Sequence, residues 1–214
     1  MKASIAHLRK EYAAHSLQEH QVSPNPINQF ETWWEEALRS EIVEPNAMTL
    51  ATSSPDGMPS ARIVLLKGFD PEGFVFYTNY KSYKAMQLED NPRACLVFFW
   101  KELERQVRIT GLVSRVAEAD SDAYFQLRPE ASKVGAWASP QSQVIDSRDW
   151  LETHYQKLSE QFSGTPLHRP PHWGGYVVKP IIMEFWQGRP GRLHDRIQYS
   201  LQEQGEWKIE RLAP

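Results

Sequence analysis

Three cationic side chains near the middle of the chain are the first residues whose types and spacing could do chemistry. Arg62 begins an apolar run that ends at Lys67, and Lys84 follows Ser82, the expected N-cap of a short helix that stops before Pro92. A helix N-terminus exposes unpaired N–H groups, and a lysine in its first turn completes a site suited to a phosphate monoester. The same pattern also fits an amphipathic hairpin whose cations are solvated, and both interpretations stay open.

The segment that carries the first two of these cations is predicted to be a hairpin. Asp70-Pro71-Glu72-Gly73 has the residue order of a type I turn, so the apolar runs on either side are expected to pair antiparallel. If residues 62–67 form a regular strand, side chains alternate between its two faces. Arg62 and Lys67 would then point to opposite sides and contact different groups.

A second cationic stretch lies near the C-terminus, at Arg192, His194 and Arg196. Strand alternation would place these three side chains on one side, with Leu193 and Asp195 on the other. Two guanidinium groups and an imidazole on one face repel one another unless an anion or carboxylates lie opposite. The stretch is therefore predicted either to contact an anionic ligand or to pair with acidic neighbours.

Polar side chains between these two stretches are further candidates. Gln106 begins a predicted strand, where such a residue is usually solvated but can also hydrogen-bond a ligand. Tyr124 and Arg128 lie four residues apart on a predicted helix that Pro129 stops, so they share a face. Residues 129–142 mix small, hydroxyl and amide side chains, which suit close approach to a ligand, although composition alone favours an ordinary loop.

Composition narrows the class of protein. The chain has 214 residues and a net charge of −3 without a basic block, which favours one domain and gives little support for a nucleic-acid surface or a membrane anchor. The single cysteine, Cys95, is expected to be buried and inert. His168 and His172 lack the companions that a zinc site needs, so no metal is expected. Without an apolar run of secretory or membrane-spanning length, a soluble cytoplasmic protein is expected.

The elements predicted around the candidate residues are antiparallel strands joined by tight turns, with helices inserted between them. Residues 1–25 are polar and are expected to form a mobile arm or a weak helix, and residues 26–214 a single domain. Besides the hairpin, strands are expected at 47–52, 93–100, 106–116, 174–187 and 207–212, and helices at 28–42, 118–128 and between Ser147 and Gly164. Pro180 is expected to make its strand an edge or to introduce a bulge. This order implies an α+β fold built on an antiparallel Greek-key β-barrel with flanking helices.

Eight motifs occur in order between Asn46 and Pro214: Arg62-Ile-Val-Leu-Leu-Lys67, Phe76-Tyr-Thr78, Gln106-Val-Arg108, Arg128-Pro129 with Ser132, Gly135-Ala-Trp-Ala-Ser139 with Gln141-Ser142, Trp173-Gly-Gly-Tyr176, Glu184-Phe-Trp-Gln-Gly188, and Arg192-Leu-His-Asp-Arg196. Together they resemble the pyridoxamine 5′-phosphate oxidase family of FMN-binding split-barrel proteins. The last motif is the most specific, because many split-barrel flavoproteins share a phosphate-binding hairpin but lack this C-terminal segment.

The resemblance implies FMN as the cofactor, contacted by Arg62, Ile63, Val64, Leu65, Leu66, Lys67, Tyr77, Thr78, Lys84, Gln106, Gln141, Ser142, Trp186 and Arg196. It implies that the substrate contacts Lys67, Tyr124, Arg128, Ser132, Arg192, Leu193 and His194. Arg192 and His194 would be the catalytic pair, with orienting and electrostatic roles. One residue departs from the family pattern, which usually has arginine directly before Lys84. Tyr83 stands there instead, so weaker retention of FMN is expected.

The resemblance also implies an activity, the oxidation of pyridoxamine and pyridoxine 5′-phosphates to pyridoxal 5′-phosphate by hydride transfer from substrate C4′ to flavin N5, with O2 reduced to H2O2. It implies a homodimer with FMN at the subunit interface and a C-terminal dimerisation and substrate segment at about residues 173–214. Two alternatives stay open. One is a split-barrel flavin reductase or oxidase with another substrate, and the other is a non-enzymatic carrier of FMN or pyridoxal phosphate.

Overall fold

Residues 11 to 214, which are the residues described by the structure, a computed structural model, form five α-helices and nine strands. The helices in this range are α1 (Pro26–Arg39), α2 (Tyr83–Asp90), α3 (Glu118–Leu127), α4 (Glu130–Ala138) and α5 (Arg148–Gln161). The strands are β1 (Ala47–Ser53), β2 (Pro59–Leu65), β3 (Gly68–Asp70), β4 (Gly73–Asn79), β5 (Arg93–Trp100), β6 (Arg105–Arg115), β7 (Trp173–Gln187), β8 (Asp195–Leu201) and β9 (Trp207–Arg211). In this part of the chain no helix is long and apolar enough to cross a membrane.

The strands form one sheet in the order β2-β1-β5-β6-β7-β4-β3, with β8 paired to β7 and β9 to β8. The pairs β3–β4, β4–β7, β7–β8 and β8–β9 are all antiparallel, so the predicted α+β class is confirmed. Pro180 does not interrupt β7, contrary to the prediction. Its position lies between the residues of β7 that pair with β4 (173–178) and those that pair with β8 (182–187), so Pro180 takes part in neither of these two ladders.

The predicted hairpin is correct in its turn but wrong in its first strand. Asp70 Oδ1 accepts hydrogen bonds from the backbone N–H groups of Glu72 at 2.8 Å and Gly73 at 3.2 Å, as a tight turn led by aspartate requires. The strand that pairs with β4 across this turn is the short β3, whereas β2 ends at Leu65. Lys67 therefore lies outside a regular strand, and alternation within β2 does not determine its direction.

The chain divides into two compact units. Of the described residues, the first contains 11–49, Leu96–Thr110 and Pro180–Pro214, and the second contains Leu50–Cys95 and Gly111–Lys179.

The core of the first unit is built on the apolar face of α1. Asn25 caps this helix by accepting a hydrogen bond from the N–H of Ile27 at 2.8 Å, and Pro26 fits its first turn. Phe30 packs against Phe98 at 5.2 Å between ring centroids, and Trp33 meets Phe185 edge-on at 5.3 Å. The predicted helix and its aromatic stripe are confirmed.

Part of the predicted N-terminal arm also contacts the first unit. Its first ten residues lie outside the described part of the chain. Further along, the N–H of Ala13 donates to the Glu104 carboxylate at 2.8 Å, and the N–H of Leu17 donates to Asp195 at 3.0 Å. Leu17 itself is buried.

Helices α3, α4 and α5 enclose the aromatic core of the second unit. Buried Phe125, Val134, Leu167 and Trp173 form this core. Ser147 caps α5 by accepting a hydrogen bond from the N–H of Trp150 at 3.0 Å, as predicted. The loop predicted for residues 129–142 is wrong from Glu130 to Ala138, which form α4. Val134 and Ala138 lie four residues apart on one face of that helix and are both buried, so packing outweighs the cost of a glycine in the helix.

Candidate functional site

A cavity of about 960 Å³ opens in the second unit between β2, β4 and helices α2, α3 and α4. Its lining contains most of the residues that the sequence had singled out: Arg62, Ile63, Val64, Leu65, Lys67, Tyr77, Thr78, Lys84, Tyr124, Arg128, Ser132, Gln141 and Ser142. Residues distant in the sequence thus meet in one place. Leu66 is buried and does not line the cavity.

The cavity is cationic. Arg62, Lys67, Lys84 and Arg128 line it, whereas no aspartate or glutamate does. Within residues 11–214, none of the four cations forms an ion pair with a carboxylate. Buried or half-buried charges are costly unless an opposite charge compensates them. The cavity is therefore suited to anions that carry several negative charges.

Arg62 and Lys84 form one group of donors at this cavity. Lys84 Nζ donates to the hydroxyl oxygens of Thr78 and Ser82, each at 3.2 Å, and the side chain is buried. Burial, together with the nearby Arg62 guanidinium, lowers the pKa of the Lys84 ammonium to about 8. The arrangement follows from the first turn of α2, where Ser82 is the N-cap residue, as predicted, although its hydroxyl caps no backbone N–H.

Arg128 provides the second group of donors. Its guanidinium lies 4.5 Å from the ring centroid of Trp173, in cation–π geometry, and its Nη1 is buried without a hydrogen-bond partner in the described residues. Burial lowers the pKa of Arg128 from its ordinary value. Arg128 is the C-cap residue of α3, and Ser132 lies four residues later in the first turn of α4. A buried donor without a partner, at a cavity that the Ser132 side chain also lines, indicates a site for an acceptor atom of a ligand.

Stacked aromatic rings line the same cavity. Tyr77 stacks on Tyr124 at 4.0 Å between ring centroids and on Trp173 at 5.4 Å. Tyr124 lies four residues before Arg128, and the predicted shared face is confirmed because both side chains line the cavity. Gln141 accepts a hydrogen bond from Thr78 Oγ1 at 3.2 Å. The cavity thus combines flat apolar surface with cationic and amide groups, as a binding site for an aromatic anion requires.

Six of the predicted site residues do not line this cavity and belong to the first unit: Gln106, Trp186, Arg192, Leu193, His194 and Arg196. Trp186 and His194 contact each other and Tyr12, whereas Arg196 pairs with Glu184. The imidazole of His194 lies 4.6 Å from the Trp186 ring centroid and meets the Tyr12 ring edge-on at 6.0 Å. Arg196 forms two hydrogen bonds to the buried Glu184 carboxylate, at 3.2 Å and 3.0 Å.

The sequence predicted that the cationic C-terminal stretch would contact an anionic ligand or pair with acidic neighbours, and Arg196 does pair with an acidic residue, Glu184. Glu184 also pairs with Arg108 at 3.2 Å, and it raises the pKa of Arg196. The predicted strand alternation over this stretch is wrong, because β8 begins only at Asp195. Gly191 and Arg192 have φ angles of +64° and +63°, and a chain with two successive positive φ angles cannot continue a strand. Arg192 is exposed.

The sequence analysis gave no role to several residues that line the cavity or lie next to its cations. Trp173 was part of a recognised motif but had received no role, and the stack with Tyr77 gives it one. Thr52, Ser60 and Gln87 surround Arg62 without lining the cavity, and no periodic pattern relates them to it. No group of three His, Cys, Asp or Glu side chains in the described chain could hold a metal.

Two protein-family models match the chain. The model described as "Pyridoxamine 5'-phosphate oxidase" matches residues 34–162, and the model described as "Pyridoxine 5'-phosphate oxidase C-terminal dimerisation region" matches residues 173–214. The second match begins at the first residue of β7 and supports a homodimer.

Curated relatives match over the whole length. A pyridoxine/pyridoxamine 5′-phosphate oxidase from a Cyanothece species is 56% identical over 214 residues, which is 100% of both chains. A protein of the same name from Cupriavidus necator is 55% identical over 210 residues, which is 98% of this chain and 99% of the relative.

Solved structures share the fold. PhzG from Burkholderia lata, in complex with tetrahydrophenazine-1-carboxylic acid, has a TM-score of 0.88 at 29% identity over 94% of this chain and 100% of the other. A pyridoxamine 5′-phosphate oxidase-related, FMN-binding protein from Nostoc punctiforme has a TM-score of 0.71 at 20% identity over 90% of this chain and 100% of the other. The predicted split-barrel fold is confirmed.

Proposed function

The chain belongs to the pyridoxamine 5′-phosphate oxidase family, and from that premise we propose that it is an FMN-dependent oxidase that converts pyridoxamine and pyridoxine 5′-phosphates to pyridoxal 5′-phosphate, with O2 reduced to H2O2. The observation that carries this proposal is the cavity with four cations and no lining carboxylate. FMN and the substrate each end in a phosphate monoester, and two dianions match four cations. FMN, when bound, supplies the hydride acceptor of the reaction.

Arg62 and Lys84 would hold the FMN phosphate. Both donate only to neutral acceptors in the described structure, so their charges are available to an anion in the cavity. Thr78 and the first turn of α2 add hydroxyl and N–H groups beside Lys84. The stacked rings of Tyr77 and Tyr124 supply apolar surface for the flat parts of the ligands. This donor set fits FMN.

Arg128, Ser132, Tyr124 and Lys67 would hold the phosphate of the substrate. The unpaired Nη1 of Arg128 is the strongest support, because a buried donor without an acceptor destabilises the protein until a ligand supplies one. Tyr124 and Ser132 add hydroxyl groups at the same cavity, and Lys67 adds an exposed ammonium. A charge-assisted set of this kind binds a phosphate more strongly than neutral donors do.

The remaining functional residues are proposed to act at a subunit interface. The match to a C-terminal dimerisation region supports a homodimer, in which a second copy can supply groups that the cavity of one chain lacks. Gln106, Trp186 and Arg196 would contact FMN, while Arg192, Leu193 and His194 would cover the substrate. A cytoplasmic location stays a prediction of the sequence. Sedimentation of the FMN-loaded protein tests the dimer, and a monomer at assay concentration would contradict it.

The oxidase activity is tested by mixing the FMN-loaded protein with pyridoxamine 5′-phosphate without oxygen. The yellow colour of oxidised flavin should bleach, and admission of air should restore it with formation of one H2O2 per pyridoxal 5′-phosphate. A protein that binds FMN but does not bleach with either phosphorylated vitamer would refute the proposed substrates. A carrier of FMN or pyridoxal phosphate would show this result.

Arg192→Ala tests the proposed catalytic pair. Arg192 is exposed and makes no ion pair within residues 11–214, so its loss should leave the fold intact. Turnover of pyridoxamine 5′-phosphate is expected to fall by about 10²-fold or more, because a group that orients the reacting atom is removed. The affinity for FMN, measured by fluorescence, should stay within about twofold, since the proposed role is toward the substrate. Wild-type turnover in this variant would contradict the assignment.

A second candidate is an oxidase of the same fold that acts on another substrate. The similarity to PhzG, whose structure holds a tricyclic carboxylic acid, favours it. Comparison of pyridoxamine 5′-phosphate with unphosphorylated pyridoxamine separates the two, because only a phosphate uses the Arg128 group fully. Equal kcat/KM for the two compounds would favour the second candidate.

A further inference from the structure

Gln87 is a buried polar residue that does not line the cavity but contacts two residues that hold one of its cations. It lies on α2, three residues after Lys84, and only 3% of it is exposed. Its Oε1 accepts hydrogen bonds from Thr52 Oγ1 at 2.6 Å and from Ser60 Oγ at 3.0 Å. These hydroxyl groups lie 35 and 27 residues away in the sequence, on β1 and β2.

The same two hydroxyl oxygens accept hydrogen bonds from Arg62. Its Nη1 donates to Thr52 Oγ1 at 2.6 Å, and its Nη2 donates to Ser60 Oγ. A hydroxyl group has one proton and two lone pairs. Because both protons are directed to Gln87, the lone pairs are free to face the guanidinium. Gln87 therefore determines which way the two hydroxyl groups point.

This arrangement fixes a guanidinium without cancelling its charge. An adjacent carboxylate would hold Arg62 as firmly but would compete with any anion in the cavity. Here the acceptors are two hydroxyl groups and the carbonyl oxygens of Leu50 at 3.2 Å and Ser60 at 3.5 Å, all of them neutral. Hydrogen bonds in such a chain strengthen one another in a poorly solvated site.

We propose that Gln87 is a positioning residue for the coenzyme: it orients the hydroxyl groups of Thr52 and Ser60, which fix the Arg62 guanidinium for the phosphate of FMN. This inference rests on the proposed function of the cavity. It adds a residue that touches neither the cavity nor the coenzyme.

The test measures the dissociation constant of FMN with the full-length apoprotein, from the quenching of flavin fluorescence, so that no turnover is needed. Gln87→Met keeps the size and removes the acceptor, and it should weaken FMN binding by about tenfold, because a charged donor group is no longer held in place. Gln87→Asn keeps the amide on a side chain one methylene shorter, so it should weaken FMN binding by less than Gln87→Met does.

A double-mutant cycle separates positioning from a general loss of stability. If Gln87 acts through Arg62, Gln87→Met should change the FMN dissociation constant by less than about twofold in an Arg62→Met background. Gln29→Met is the matched control. Gln29 is 5% exposed on α1, and its Oε1 accepts a hydrogen bond from the N–H of Ser23 at 3.0 Å. That control should lower the melting temperature and leave FMN affinity unchanged.

The outcomes are distinct. Wild-type affinity in Gln87→Met overturns the inference and leaves the proposed function standing. The same loss of FMN affinity in both Arg62 backgrounds also overturns the positioning role. A wild-type protein that does not bind FMN overturns both the inference and the proposed function.

Discussion

Replacing Arg128 by methionine should weaken substrate binding without weakening the fold. The guanidinium stacks on Trp173 and has a buried Nη1 with no partner in the described chain. Loss of a charge-assisted hydrogen bond to a phosphate costs about 1.5–3 kcal/mol. The KM for pyridoxamine 5′-phosphate should therefore rise about 10- to 150-fold, since about 1.4 kcal/mol is a factor of ten. The KM for unphosphorylated pyridoxamine should not change.

The stability of the same variant follows from two opposing contributions. An unpaired buried donor costs about 1–3 kcal/mol, and its removal is favourable. The lost cation–π contact is unfavourable by about 0.5–2 kcal/mol. These nearly cancel, so the apoprotein should melt within about 3 °C of the wild type, given about 2–4 °C per kcal/mol for a chain of this size.

Arg169→Met is the matched control for this experiment. Arg169 pairs with Asp122 at 2.6 Å and donates to the carbonyl oxygen of Trp173 at 2.7 Å, and it does not line the cavity. Its loss removes the donor to the part-buried carbonyl oxygen of Trp173 and the ion pair with the exposed Asp122, so it should lower the melting temperature by about 3–10 °C while KM stays constant. If Arg128→Met melts as early as this control and still binds both substrates normally, Arg128 has only a structural role.

Three further outcomes are expected. Tyr83→Arg adds a guanidinium to the cavity lining and should tighten FMN binding by about tenfold in a fluorescence titration; unchanged or weaker binding would contradict this. Since the pKa of Lys84 is lowered to about 8, the affinity of the apoprotein for FMN should fall as the pH rises through that value, and Lys84→Met should abolish this pH dependence. If the affinity of the wild type for FMN does not change between pH 7 and 9.5, the assignment of Lys84 is refuted. A Cβ on Gly73, at φ +139°, would lie 2.3 Å from the carbonyl oxygen of Val178, so Gly73→Ala should lower the free energy of unfolding in urea by about 2–3 kcal/mol. Gly68→Ala, where a Cβ would have nothing within 4 Å, should lower it by about 1 kcal/mol or less. Equal losses in the two variants would show that the close approach at Gly73 does not matter.

Those parts of the fold that depend on neighbouring residues could be predicted from the sequence. The Asp70–Gly73 turn, the cap at Ser147 and the stripe of α1 depend on neighbouring residues, and each was found where the sequence placed it. Helix α4 was missed because its small residues and Gly135 resemble a loop. The burial of Val134 and Ala138 that stabilises it depends on partners far along the chain.

The sequence predicted the cations of the candidate site but not the side chains that surround them. Arg62, Lys84 and Arg128 were predicted to be phosphate ligands from their positions and the family motifs, and the structure brings them to one cavity. The contact of Gln87 with Thr52 joins residues 35 apart that follow no common period, so only the folded chain reveals it. The C-terminal stretch was wrongly predicted because strand alternation was applied from Arg192, which has a positive φ, whereas β8 begins only at Asp195.

The uncompensated cations have a practical consequence for the choice of buffer. A cavity with Arg62, Lys67, Lys84 and Arg128 and no lining acid should also take up inorganic phosphate or sulfate, which then compete with larger ligands. The apparent dissociation constant of a ligand rises with the concentration of such a competitor. Coenzyme titrations in phosphate buffer would thus understate the true affinity, and zwitterionic amine buffers with chloride at fixed ionic strength should be used instead.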